Sequence, residues 1–185
     1  MSKMFFKDYF KFMQSGMESV NHDDLIDAVE KIQGVSSKGN KLIIAGNGGS
    51  AAMASHVSVD FTKAAGIRAV NFNEADLLTC FANDFGYERI FEKAVEFYGD
   101  KGDLLILISS SGSSPNVVNA AKRAKELNMS VITFSGFKSD NPLQKLGDIN
   151  FWVDSKAYNI VEMTHHIWLL AIVDYIIGDI EYPAS

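Results

Sequence analysis

The chain has 185 residues, 47% of them apolar and 22% charged, which suits one domain with an ordinary core and excludes a disordered chain. A formal net charge of -6 excludes a global basic field, so direct nucleic-acid binding is not expected. The single cysteine, Cys80, excludes an internal disulfide framework and suits a reducing compartment; in the apolar run LLTCFA it reads as a small buried hydrophobe.

At the start, MSKMFFKDYFKFMQSG breaks its apolar residues with Lys and Asp, and no small-residue cleavage site follows, so an export signal is not expected. Phe6, Phe10, Met13, Met17 and Val20 follow the spacing of a helix seam, and Phe5, Tyr9 and Phe12 add a second apolar flank. One domain cannot cover both flanks, so packing between subunits is the expected remedy. Asp23 and Asp24 mark the start of a second helix, favourably placed against its dipole, with Leu25, Ile26, Val29 and Ile32 inward. Residues 1–36 thus form a helical oligomerisation arm and 37–185 the main domain.

Beyond the arm the pattern alternates. KLIIAG (41–46), RAVNF (68–72), DLLILIS (103–109), SVITFSG (130–136) and INFWVD (149–154) read as strands, with helical segments between them and a long last helix over 159–179. Short apolar strands separated by helices give an α/β fold whose parallel sheet is covered on both faces. The stretch IWLLAIVDYIIGD is interrupted by Asp174 and falls short of the roughly 20 residues that span a bilayer, so a soluble, cytoplasmic protein with no membrane contact is expected.

In a doubly wound sheet of order 2-1-3-4-5, ligands bind beyond the carboxyl ends of the first and third strands. Here those strands end in the loops Gly46-Asn47-Gly48-Gly49-Ser50 and Ser109-Ser110-Ser111-Gly112-Ser113-Ser114-Pro115, unlike any others in the chain. Pro115 suits a first helical position and Ser114 the N-cap, so free N–H groups and hydroxyls converge at a helix dipole, an arrangement for an anion. No G-x-x-x-x-G-K-[ST] is present, and Ala51 or Ala52 stands where a dinucleotide fingerprint needs its last glycine; both nucleotide motifs are excluded.

GNGGSA after the first strand, ANDFG at 82–86 and GDLLILISSSGSS at 102–114 resemble the sugar isomerase (SIS) domain family, most closely its phosphoheptose isomerases, and the resemblance covers nearly the whole chain. It implies a flavodoxin-like sheet of five strands and a homotetramer whose N-terminal helices pack together, with active sites at subunit interfaces. It also implies that Ser109, Ser110, Ser111 and Ser114 hold a sugar phosphate together with Asn47, Gly48, Gly49 and Ser50, and that Asn83 and Asp84 border the sugar.

The same resemblance implies a zinc held by a His and Glu on the first domain helix and a Gln and His on the last. This chain keeps His56 but places Asp60, Val161 and Leu169 at the other three positions, so the metal set is incomplete and zinc is doubtful. Positions 161, 165 and 169 share one helix face, which brings His165 towards the pocket, whereas His166 lies about 100° further round and reads as a surface or neighbour-subunit contact. Glu162 falls in the first turn and reads either as a dipole partner or as a third catalytic group.

Isomerisation through an enediol needs one group for the carbon-bound proton and another for the oxygens, roles open to Asp60, His165 and Glu162. Two functions follow. One is an isomerase converting sedoheptulose 7-phosphate to a heptose 7-phosphate with altered catalytic residues. The other is a non-catalytic sugar-phosphate-binding protein, resembling the family's tetramers that bind the bacterial replication initiator.

Overall fold

A computed structural model describes residues 3–182. Its strands are β1 (Leu42–Gly46), β2 (Ala69–Asn71), β3 (Leu104–Ser109), β4 (Ser130–Gly136) and β5 (Ile149–Val153). All pair in parallel, in the order β2-β1-β3-β4-β5, so the flavodoxin-like topology expected from the sequence is the one present. β1 and β3 are buried along their whole length, which is why LIIAG and LLILIS are continuously apolar rather than alternating. At the sheet edge β2 shrinks to three partly exposed residues.

The helices are α1 (Lys3–Met17), α2 (His22–Ser37), α3 (Gly49–Lys63), α4 (Ala75–Phe85), α5 (Ile90–Tyr98), α6 (Pro115–Glu126) and α7 (Tyr158–Ile177). α2, α3 and α7 cover one face, where Ile32, Val57 and Leu169 meet Ile44, Ile106 and Phe134. α5 and α6 cover the other, where Phe91, Val95 and Val117 meet Ile43, Leu105 and Val131. Alternate residues of each central strand therefore feed two cores.

α2 starts where its acidic residues indicate, with the Asn21 side chain accepting from the Asp23 N–H at 3.1 Å. Its buried line is Ala28, Val29, Ile32 and Val35, and Ile26, expected inward, is 37% exposed, because the helix turns its Val29–Ile32 stripe onto the sheet. Phe5, Phe6, Phe10 and Phe12 of α1 are all exposed. α1 is tied to α7 at its end, where Trp168 Nε1 donates to the Met17 carbonyl at 2.9 Å.

Two further expectations are corrected. Cys80 is exposed: α4 buries none of its residues, so LLTCFA is a half-covered surface stripe. Its Sγ lies 3.6 Å from Asp84, whose charge pushes the thiol pKa up. α7 runs 20 residues and is long and apolar enough to cross a bilayer, contrary to the length argument. It packs Val161, His165, Leu169 and Ile172 into the protein core.

Candidate functional site

The glycine turn after β1 and the serine loop after β3 meet at the switch point, where β1 and β3 lie side by side and β2 continues in the opposite sense. A cavity of about 190 Å³ opens there. Ser109, Ser110, Ser111 and Ser114 form one wall, Asn47 and Ser50 another, and Tyr158 and Glu162 close the side beneath α7.

Each part of the serine wall has a local cause. Gly112 reverses the loop at φ +60 and receives the Leu143 N–H on its carbonyl at 3.0 Å, while the buried Asn141 side chain fills the space that a Cβ would need. Ser114 takes the extended N-cap conformation and Pro115 the first helical position. The Ser114 hydroxyl makes no capping bond; it faces Ser109 Oγ at 3.4 Å. Ser110 is buried, and its hydroxyl has no hydrogen-bond partner. Hydroxyls freed from backbone duty around a helix N-terminus can donate to a phosphate.

Asn47 is fixed by residues that sequence reasoning missed. Its amide pairs head to tail with that of Asn116, at 3.0 and 2.9 Å, and Tyr87 donates to its Oδ1 at 3.1 Å. The signal for Asn116 was available: it sits beside Val117, Ala120, Ala121 and Ala124 on the buried side of α6, a polar residue that demands a partner.

Gly48 and Gly49 are exposed, while Asn47 and Ser50 on either side of them line the cavity. Glu162 packs against Gly49 so closely that a Cβ there would lie 2.5 Å from Oε2. Glu162 therefore does not serve the first turn of its own helix, which has no acidic residue; it lies over the start of α3. The chain's own carboxylate thus faces the start of α3 while lining the same cavity as the serine loop.

The sequence placed 161, 165 and 169 on the pocket side of α7, and this is corrected. Val161, His165 and Leu169 are completely buried in the core, and the stripe facing the cavity and α3 is Tyr158, Glu162 and His166. His165 Nε2 bonds the Ser135 carbonyl at 2.9 Å, its Nδ1 has no partner, and Phe134 and Trp168 flank the ring. Burial pushes its pKa down to about 4, so the ring is neutral and Nε2 donates. The structure does not bring His165 to Asp60.

His56 instead links α3 to α7. Its Nε2 lies 3.2 Å from Asp60 Oδ2, and its Nδ1 lies 2.9 Å from His166 Nε2. With His56 Nε2–H donating to Asp60, Nδ1 is left to accept from His166. Burial and the neighbouring His56 lower the His166 pKa, against a smaller opposing pull from Asp60. Asn83 and Asp84 are exposed at the end of α4, bonded to one another at 2.8 Å, and line no part of this chain's cavity. Lys63 is exposed in the last turn of α3.

The implied zinc does not fit these residues. Val161 and Leu169 offer no ligand atoms and are sealed in the core, and the two His56 nitrogens point to different partners. Among the described residues no three His, Cys, Asp or Glu side chains converge for a metal.

Fold and site together define a doubly wound α/β protein with a serine-lined cavity, free of Lys and Arg, at its switch point. Residues 6–136 match the family model described as the SIS domain. The chain is 33% identical over 175 residues to a phosphoheptose isomerase of Fusobacterium nucleatum, covering 91% of this chain and 90% of that one. Identity reaches 42% over 136 residues with a phosphoheptose isomerase of Campylobacter jejuni, covering 69% and 72%. A solved phosphoheptose isomerase of Neisseria gonorrhoeae superposes with a TM-score of 0.85 at 30% identity, covering 94% and 96% of the two chains. The chain belongs to the SIS domain family.

Proposed function

We propose that the protein is a sugar-phosphate isomerase that interconverts sedoheptulose 7-phosphate and a heptose 7-phosphate through an enediol. The observation that carries this reading is the cradle of Ser109, Ser110, Ser111 and Ser114, with a carboxylate, Glu162, on its rim. Relatives that bear the name phosphoheptose isomerase support the choice of substrate.

The serine hydroxyls and the N-terminus of α6 hold the phosphate. Glu162 takes the proton from C1 of the ketose as the C1=C2 bond forms and the C2 carbonyl oxygen gains a proton. It returns the proton to C2 as the C1 hydroxyl loses its own and becomes a carbonyl. The Asp60–His56 pair, held by His166 between α3 and α7 and outside the cavity walls, is the group we assign to the oxygens. Within a homotetramer, exposed Asn83 and Asp84 border a neighbour's cavity, and the uncovered aromatics of α1 support such assembly. The lone unpaired cysteine supports a cytoplasmic setting.

Turnover of sedoheptulose 7-phosphate tests the reading. Glu162→Gln and Asp60→Asn are each expected to lower kcat about 100-fold or more while phosphate binding persists. Full activity in Glu162→Gln removes Glu162 from the chemistry.

Two observations favour the second reading, a non-catalytic sugar-phosphate-binding protein: Asp60 and His165 do not meet, and apolar Val161 and Leu169 occupy two of the ligand positions that the family resemblance implies. Binding of sugar phosphates without turnover of any ketose phosphate decides for it.

A further inference from the structure

The rim of the cavity is aromatic. Tyr158 opens α7 and lines the cavity beside Glu162 and Ser111, with 61% of the residue exposed. Phe137, immediately after β4, packs against it edge to face, with ring centroids 4.9 Å apart and planes at 84°.

Phe137 adopts φ +58. The other non-glycine residue with positive φ among those described is Asn128, a type that tolerates it, whereas a bulky ring does not. Such a conformation persists only where its surroundings over-determine it, and it concentrates at functional sites. Here the Phe137 N–H donates to the Ser155 carbonyl at 3.0 Å and the ring packs on the core's edge. A glycine would take this turn without strain. What glycine would not supply is the ring that supports Tyr158.

We infer that Tyr158, propped by Phe137, is the specificity-determining surface of this cavity, stacking on the C–H face of a carbon chain whose phosphate lies in the serine loop. The inference rests on the serine loop as the phosphate site. With that end fixed, the carbon chain leaves between an acceptor, Glu162, and an apolar ring, Tyr158. A polyhydroxylated chain matches both, with hydroxyl edges towards the carboxylate and C–H groups towards the ring. Inorganic phosphate reaches neither, and a short chain reaches them only in part. Specificity for a long phosphorylated carbon chain thus comes from the rim and anion affinity from the loop.

Calorimetric titration of the full chain with inorganic phosphate, glycerol 3-phosphate and sorbitol 6-phosphate separates the two contributions, and the polyol, lacking a carbonyl, cannot turn over. Tyr158→Ala is expected to weaken sorbitol 6-phosphate about three- to tenfold and leave inorganic phosphate unchanged. Glycerol 3-phosphate is expected to fall between them. Tyr158→Phe is expected to bind as the native chain does, and Phe137→Gly to lose the polyol selectively without losing its cooperative thermal transition. Equal affinities in Tyr158→Ala and the native chain overturn the proposal while the serine-loop reading stands. So does a Tyr158→Phe variant as weak as Tyr158→Ala, which would assign the effect to the hydroxyl. A native chain that binds none of the three overturns both readings together.

Discussion

At Gly112 and Gly49 a missing Cβ does different work, and the two substitutions should part company. An alanine at 112 must hold φ +60 and displace the buried Asn141 side chain, which makes three hydrogen bonds. Gly112→Ala is expected to cost about 2 kcal/mol in chemical denaturation and to abolish phosphate binding with the loop's shape. At position 49 the obstacle is the tip of the Glu162 side chain, which can swing away. Gly49→Ala is expected to change stability by less than about 0.5 kcal/mol yet to lower turnover, because the carboxylate has moved. A stable Gly49→Ala enzyme with native kcat would show that Glu162 needs no fixed place.

His165 makes a prediction about pH. Its folded pKa of about 4 lies below its ordinary 6.5. Above pH 6.5 both folded and unfolded rings are neutral; as pH falls from 6.5 to about 4 the unfolded ring takes a proton that the folded ring refuses. Stability is therefore fully present above 6.5, declines through that window by up to roughly 3 kcal/mol, and changes no further through this group below about 4. His165→Phe is expected to flatten this slope while losing about 1 kcal/mol at neutral pH for the Ser135 bond. Denaturation midpoints across pH 4 to 7 in both proteins check it, and equal slopes would contradict the burial.

Among the elements, strands β1 and β3 were legible because burial on both faces leaves an unbroken apolar run, and the serine loop because Pro115 fixes where α6 begins. The rotation of α7 was not legible. Its residues are apolar nearly all round, since one side packs on the sheet and another on α1 and α2. Periodicity therefore could not choose between the stripe of Val161, His165 and Leu169 and the stripe of Tyr158, Glu162 and His166. α1 raises the converse question: its Phe6 and Phe10 are 64% and 65% exposed, so neither supports the fold of its own chain. Phe6→Glu with Phe10→Glu is expected to reduce the sedimenting mass and leave monomer secondary structure intact. An unchanged mass would show that α1 is not the assembly surface.

On the scale of the whole molecule, the charge of -6 and the composition of the cavity pull in different directions for an anionic ligand. The walls contain no Lys or Arg, and the one ionisable acid among them, Glu162, is negative when ionised. Affinity must then come from short-range hydroxyl and N–H donors and from a helix terminus, while the long-range field repels. Salt screens the long-range part over a Debye length of about 10 Å at 0.1 M and leaves direct hydrogen bonds largely intact. A phosphate site built on lysines loses affinity steeply as salt rises. Here, raising sodium chloride from about 20 to about 300 mM is expected to leave sorbitol 6-phosphate affinity within about twofold, or to improve it slightly. A tenfold loss by calorimetry would mean that a cation reaches the phosphate from outside the described cavity, and a neighbouring subunit would be the place to look for it.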